Sequence, residues 1–353
     1  MRERLLQWLV CPACGDELTL KVSYWEGGEI IEGMLRCLCG EIFPIIGGVP
    51  RLLCGTLRKK LLQLYPDFFH RHSELLDGVV TSKENSVSER KKATMDRFSY
   101  EWIHFSDYDC DNFKTFIAPL PAGFFKGKLG LDVGCGGGRH ARQAVELGAE
   151  IASIDLSQAV DVAYRNNPDN ELIHVIQADV YNLPFSHGTF QFIYSLGVLH
   201  HLPEPESGYQ ALLPFLCKGG SLFVWIYAYA LRKVALEILR SVAQRLSSEN
   251  IRRMACLCNL VDYGIFINLY RLTENLPVLG RLIKRYSPLR VKEYATYGFR
   301  VGYTDWFDRL SAPITNYYKE NEMHHWLKRS GLCNTKLLLE GDSWWWLYGE
   351  KKA

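Results

Sequence analysis

The 353-residue chain has no long hydrophobic run. Its longest apolar stretch, Ser221 to Leu231, falls well short of the ~20 residues a helix needs to cross a bilayer, and fits a buried strand instead. Net charge is nearly absent too: 41 Lys+Arg against 39 Asp+Glu leave only +2. That balance argues against a protein built to coat nucleic acid, which would be strongly basic. No basic segment leading into an apolar core opens the chain. Met1-Arg-Glu-Arg-Leu-Leu-Gln-Trp8 runs into Cys11 without one, so no secretory signal is expected. Eleven cysteines without such a signal point to a reducing, cytoplasmic compartment, and so to metal ligands or free thiols rather than disulfides. What is present is core-forming. A content of 48% hydrophobic and 23% charged residues describes a globular protein, long enough for one large domain and a small one.

The most informative stretch is Leu131-Asp-Val-Gly-Cys-Gly-Gly-Gly-Arg139, followed by Ser153-Ile-Asp-Leu156. Lys128 to Val133 reads as a strand that breaks into a loop carrying Gly134, Gly136 and Gly138. A helix over Arg139 to Leu147 and a second strand from Glu150 to Ile154 follow, ending at Asp155. Glycines let the backbone turn sharply and approach a ligand, and the helix start offers free N–H groups. A carboxylate at the tip of the next strand is placed to hold a ribose diol. The ligand therefore contains a nucleoside. The loop reads G-x-G-x-G rather than the dinucleotide pattern G-x-G-x-x-G, and Asp132 at the strand end would repel a pyrophosphate while pairing with an ammonium group. A nucleoside carrying an amino acid fits better than NAD.

At this point the sequence resembles the class I S-adenosylmethionine-dependent methyltransferases. The resemblance continues in order through Gln177-Ala-Asp179-Val180, Phe190-Gln-Phe-Ile-Tyr-Ser-Leu-Gly-Val-Leu-His-His-Leu-Pro203 and Lys218-Gly-Gly-Ser-Leu-Phe-Val-Trp225. It implies an α/β fold: a doubly wound, seven-stranded Rossmann-like sheet, with a helical insert after the fifth strand. It also implies roles. Asp132 with Gly134, Gly136 and Gly138 would hold the methionine part. Asp155 would hold the ribose hydroxyls, with Leu156 against the adenine. Asp179 would accept from the adenine amino group, Val180 would pack on the ring, and the backbone at Ser195 and Leu196 would lie by the reactive methyl. His200 and His201 follow the fourth strand of that fold. Imidazole is suited to taking a proton near neutrality, so either is a candidate catalytic base, with a structural role as the alternative.

Residues 1–55 read as a separate small module. Cys11-Pro-Ala-Cys14 and Cys37-Leu-Cys39-Gly40 place paired thiolates on two tight turns, as a tetrahedral structural zinc site requires. With little apolar core of its own, such a module would draw folding energy from the metal. The run Glu41 to Leu53 resembles the zinc ribbon of the small activator protein that partners tRNA and protein methyltransferases. The second knuckle is C-x-C where C-x-x-C is commoner, which brings in Cys54 as a substitute fourth ligand. Residues 56–93 read as a connector, with a helix over Leu57 to Phe69 and a polar, mobile stretch from Asp77 to Lys92. The methyltransferase domain is expected over 94–353. It opens on the aromatic run Phe98 to Tyr108, where Tyr100 and Trp102 are candidates to face the cofactor's sulfonium.

Residues 231–317 interrupt the familiar pattern. Residues 231–300 hold 13 Lys/Arg against 5 Asp/Glu, so the basic charge is concentrated there while the rest is acidic. Leu, Ile and Val at helical spacing with arginines between them read as a lid. Such a lid would select the acceptor and favour anionic or membrane-associated molecules, Arg252 and Arg253 foremost. The expected function is methyl transfer to a small-molecule or lipid-linked acceptor, at oxygen or carbon. The pattern Asn/Asp-Pro-Pro-aromatic, which clamps a planar base, is absent after the fourth strand, and so is a Pro-Cys nucleophile. Two alternatives stay open. One is an RNA methyltransferase gripping RNA with ribbon and insert, and the other is a non-catalytic S-adenosylmethionine-binding scaffold.

Overall fold

The computed structural model describes residues 1–72, 86–168, 170–230, 233–287, 289–341 and 343–353. Among the described residues, eleven strands follow one another along the chain. These are β1 (Leu18–Glu26), β2 (Glu29–Cys37), β3 (Ile42–Ile46), β4 (Val49–Leu52), β5 (Leu129–Val133), β6 (Glu150–Asp155), β7 (Ile173–Ala178), β8 (Phe190–Leu196), β9 (Leu216–Tyr227), β10 (Cys333–Glu340) and β11 (Trp344–Glu350). They form one sheet in the order β1-β2-β3-β4-β7-β6-β5-β8-β9-β11-β10.

The seven strands β5 to β11 make the doubly wound part. β5, β6, β7, β8 and β9 run parallel, and β11 is antiparallel to β9. This strand order, with a reversed terminal hairpin, is the α/β Rossmann-like arrangement typical of class I methyltransferases. Strand β7 is buried at every position, as a strand covered on both faces must be. The chain reverses its direction of winding at β5, so the carboxyl ends of β5, β6 and β8 open a crevice at the switch point.

The amino-terminal strands are continuous with this sheet. Strand β4 pairs in parallel with β7 through Arg51–Gln177 and Leu52–Ala178. Arg51 is fully buried and donates to the side chains of Gln177 and Asp161 and to the Ile46 carbonyl. Asp161 is held from its other oxygen by the Tyr65 hydroxyl at 2.6 Å. One apolar core runs through the join, including Leu5, Phe43 and Ile45 from the first segment and Ile154, Ile176 and Leu199 from the second.

The connector is more helical than its composition implies. The helix expected over Leu57 to Phe69 is two helices, Gly55–Leu64 and Pro66–Arg71, because Pro66 cannot continue the first. Residues 73–85, which hold most of the stretch expected to be mobile, lie outside the described residues. Its remainder, 86–92, is helical: the helix Ser86–His104 starts there and carries the aromatic run toward the crevice. The last helix is Glu320–Ser330, ended by Gly331 at φ 68°.

The insert after β9 folds as helices, including Lys233–Ala243, Ser248–Val261 and Phe299–Ser311, with a π-helical turn at Asp262–Ile267. It has its own core, in which Ile251, Ala255, Tyr294 and Phe307 pack with Phe105, the residue just after the helix Ser86–His104. Arg240 is buried and ties the insert's first and last helices through the Arg309 carbonyl at 2.7 Å.

Candidate active site and cysteine cluster

The glycine loop is pinned to β6. The N–H groups of Gly134 and Cys135 both donate to the Ile154 carbonyl, at 2.8 and 2.9 Å. The Gly136 N–H donates to Asp155 Oδ2 at 3.1 Å. The other oxygen of Asp155 accepts from the Ser157 N–H at 2.8 Å and the Ser157 hydroxyl at 2.6 Å. Gly136 sits at φ +51°, and a Cβ there would lie 2.4 Å from the Trp102 ring. Glycine is thus required twice over, for the turn and for the indole that covers it.

A cavity of about 1190 Å³ opens above this loop at the switch point. Its wall includes Gly134, Asp155, Leu156, Asp179, Val180 and Leu196, so these expected site residues are brought together. Asp132 lies beneath, 2% exposed, with Oδ2 lacking any partner. Burial pushes its carboxyl up to about 8, the nearby Tyr194 hydroxyl holding it back. Burial likewise raises Asp155. Asp179 is engaged already: Lys91 reaches its Oδ2 at 2.6 Å and the Tyr181 N–H reaches Oδ1 at 3.2 Å. Gly136 and Gly138 shape the loop without forming the wall. Ser195 is buried, its hydroxyl donating to the Val133 carbonyl at 3.1 Å.

The two histidines separate. His200 is fully buried, packed at a tilt on Tyr227 with ring centroids 3.9 Å apart, and is not part of the cavity wall. His201 is part of it. Its Nδ1 lies 2.7 Å from the Ile314 carbonyl, an acceptor only, so Nδ1 carries the proton and Nε2 keeps its lone pair. That Nε2 lies 3.9 Å from Asp308 Oδ1, and burial lowers the ring's proton affinity. The candidate sulfonium-facing aromatics separate too. Trp102 lines the cavity, whereas Tyr100 stacks on His104 and Phe307 and donates to Glu249.

The sequence reading missed the acids on the far wall. Glu101, Glu293, Asp305 and Asp308 all line the cavity. Glu101 is 3% exposed and its Oε2 has no hydrogen-bond partner. Burial raises its proton affinity well above the ordinary, reinforced by Asp308 and Asp305. Glu293 is pushed up to about 7 by burial, then by Asp305. The only hint was local: a glutamate inside the aromatic run at Glu101, and Asp305-Trp-Phe-Asp-Arg309 in the insert. The arginines singled out instead sit elsewhere. Arg252 and Arg253 both pair with Glu249 and take no part in the cavity wall.

The four expected cysteines do meet. Cys11 Sγ lies 3.7 Å from Cys39 Sγ, and Cys14 Sγ lies 3.4 Å from Cys37 Sγ. All four sulfurs are within 4.8 Å of one another, and Cys54 is outside the group. Zinc–thiolate bonds of about 2.3 Å in a tetrahedron set sulfur–sulfur edges near 3.8 Å, so the donor set fits such an ion. Gly15 and Gly40, at φ +83° and +95°, turn the chain just after each pair.

Strand order, pinned glycine loop and switch-point cavity together define an S-adenosylmethionine-dependent methyltransferase fold. Residues 131–224 match the family model for a methyltransferase domain. The chain is 30% identical over 187 residues to the tRNA U34 carboxymethyltransferase of Psychromonas ingrahamii, covering 46% of this chain and 55% of that one. It is 32% identical over 109 residues to the ubiquinone biosynthesis O-methyltransferase of Albidiferax ferrireducens, covering 28% and 40%. Among solved structures, it is similar to Burkholderia thailandensis 1,6-didemethyltoxoflavin-N1-methyltransferase at TM-score 0.46 and 12% identity, covering 78% and 94%. The chain spans about half or less of the length of the curated relatives it matches.

The raised Asp132 makes stability depend on pH. Its folded proton affinity exceeds that of the unfolded chain, so its contribution is full below about pH 4 and is lost as pH rises through about 8. Asp132→Asn should therefore be more stable than the parent protein at pH 8 without ligand, with the difference shrinking toward pH 4. Urea unfolding at the two pH values checks this; a constant difference would mean that Asp132 is ionised throughout.

Proposed function

We propose that the chain is an S-adenosylmethionine-dependent methyltransferase acting on a small, lipid-linked acceptor at the surface of a membrane. The observation that carries the cofactor half is the pairing of an unpartnered buried Asp132 oxygen with the glycine loop and an oriented Asp155. A cofactor bearing an ammonium group and a ribose diol satisfies both acids. Asp132 with Gly134, Gly136 and Gly138 would hold the methionine portion, Asp155 the ribose, and Leu156, Asp179 and Val180 the adenine. The backbone at Ser195 and Leu196 would border the methyl group. The bound cofactor supplies the activated methyl. The chain's task is to align the acceptor and keep water out. For O- or C-methylation a base is needed, and His201 suits it, since it lines the cavity and its proton is fixed on Nδ1, which leaves the Nε2 lone pair.

The acceptor half rests on the insert's outer face. Leu272, Val278 and Tyr286 are 77%, 70% and 73% exposed, with Leu269, Leu279 and Leu282 beside them in the chain. Exposed Arg271, Arg281 and Arg285 are interspersed, and Phe266, Arg285 and Tyr286 also form part of the cavity wall. An apolar face this large, studded with cations and joined to the cavity mouth, suits an anionic lipid surface. Among the described residues, no helix is long and apolar enough to cross a membrane. Contact would therefore be peripheral, from the cytoplasmic side. RNA is less favoured, because leucines rather than a continuous phosphate-binding groove surround these arginines. A purely binding scaffold is less favoured too, because a base with its proton placed faces the cavity.

Three measurements test the reading. Asp155→Ala should weaken S-adenosylhomocysteine binding by roughly 2–3 kcal/mol through loss of charge-assisted hydrogen bonds; parental affinity by calorimetry would remove Asp155 from the site. Elemental analysis should find about one zinc per chain, lost in Cys14→Ser with cofactor affinity retained; fully folded, metal-free protein would reject the zinc site. The protein should sediment with phosphatidylglycerol vesicles. Leu272→Glu with Val278→Glu should reduce that binding at least about tenfold, since each buried side chain contributes roughly 1.5–3 kcal/mol. Unchanged sedimentation would reject the membrane face.

A further inference from the structure

The acidic wall of the cavity narrows the acceptor's chemistry, given the methyltransferase reading above. Glu101 projects from the helix Ser86–His104, and Asp305 and Asp308 project from the insert's last helix, Phe299–Ser311. All three line the same cavity, and Glu101 feels the charge of both aspartates, while Asp305 feels that of Asp308. Two of them have partners. The Tyr294 hydroxyl donates to Asp305 Oδ2 at 3.0 Å, with Arg309 at 3.6 Å. Asp308 lies 3.5 Å from the Tyr227 hydroxyl and 3.9 Å from the neutral His201. Glu101 Oε2 has none, although the residue is 97% buried (3% exposed) and borders open space. A buried carboxylate oxygen without a donor is costly unless something supplies one.

The cofactor brings no net charge to spare for this wall: of its two cations, the ammonium is matched by Asp132, and the sulfonium is offset by the carboxylate the cofactor itself carries. Of the cations on the cavity wall, Arg309 is committed to Asp305, and Arg139 lies over the Tyr108 ring and donates to the Cys110 carbonyl. Among the described residues, Glu101 and Asp308 thus face the cavity with no ion pair to a Lys or Arg, Arg309 being in contact with Asp305 instead. Arg285 and Lys292 also line the cavity, but they come from the insert segment next to the exposed leucines. The wall is acidic where Glu101 and Asp308 stand and basic where the outer face begins.

We infer that Glu101 and Asp308 form a cation subsite that holds an ammonium group of the methyl acceptor beside His201. The ammonium is the handle and not the methylated atom, because a protonated amine has no lone pair to offer. Held there, it places a neighbouring hydroxyl or acidic carbon near His201 Nε2. An acceptor of this kind is an amino-bearing lipid or amphiphile, its charged head on the acidic wall and its chain leaving past Phe266 and Tyr286.

The test compares octylamine with octanol, which share a chain and differ in charge, by calorimetry on the full chain with and without S-adenosylhomocysteine. Octylamine should bind the parent protein about tenfold or more tightly than octanol, the worth of one charge-assisted contact. Glu101→Gln and Asp308→Asn should each remove most of that preference while leaving S-adenosylhomocysteine affinity within about twofold, since uncharged amides keep the shape but lose the attraction. Equal binding of octylamine and octanol by the parent protein would overturn the inference. So would a preference that survives in both variants, or a loss of S-adenosylhomocysteine affinity in Glu101→Gln, which would assign Glu101 to the cofactor. Absence of S-adenosylhomocysteine binding by the parent protein would instead reject the methyltransferase reading, and the amine preference measured without it would still decide the subsite.

Discussion

Everything in the candidate site hangs on the junction between the glycine loop and β6. Two loop N–H groups share the Ile154 carbonyl, and a third bonds Asp155. That junction holds the loop open at the carboxyl ends of the parallel strands, where helix starts and strand tips converge. It also orients Asp155 before any ligand arrives, so the carboxylate is not free to collapse onto the nearest cation. Trp102 can lie over the loop only because Gly136 has no side chain. The cap helix, the loop and the strand thus form one unit in which backbone geometry dictates side-chain placement.

Charge is distributed against that frame in an unusual way. Asp132, Asp155, Glu101, Glu293 and Asp305 are all carboxyls whose burial favours the protonated form. A folded chain tolerates such a concentration where cationic ligands repay its desolvation cost, and each of these acids either borders the cavity or lies directly beneath it. Most of the lid's basic residues lie outside this zone, although Arg285, Lys292 and Arg309 reach the cavity wall. Arg252 and Arg253 neutralise Glu249 on the surface, while Arg271, Arg281 and Arg285 sit among exposed leucines. The insert therefore brings both Glu293, Asp305 and Asp308 and three cations to the cavity wall, and presents basic and apolar residues to the outside.

The amino-terminal segment is coupled to this arrangement through the sheet. A cysteine cluster organises the hairpin β1–β2, but the segment's fourth strand adds to β7, and Arg51 stitches it there with bonds to Gln177 and Asp161. Gln177 in turn donates to the Leu156 carbonyl at 2.9 Å, one residue past Asp155. A fully buried arginine must be satisfied by partners, so disturbing this join would reach the cavity wall through a short chain of hydrogen bonds.

By itself the sequence determined what depends on local chemistry. Glycine spacing, Asp132 and Asp155 at two strand ends, and three later segments in order were enough to read the doubly wound sheet. The cysteine pairs marked the four sulfurs that converge, because knuckle geometry is written in neighbours one to three residues apart. Tertiary structure alone decided which side chains share a space. His200 and His201 are adjacent in the chain and their rings lie 4.2 Å apart, yet His200 is packed on Tyr227 and only His201 lines the cavity. Glu101 and Asp308 are some two hundred residues apart and meet only because the insert folds back over the cap helix. The net +8 of residues 231–300 pointed away from an acidic wall: of its acids only Glu293 lies in that window, and packing alone gathers it with Glu101, Asp305 and Asp308.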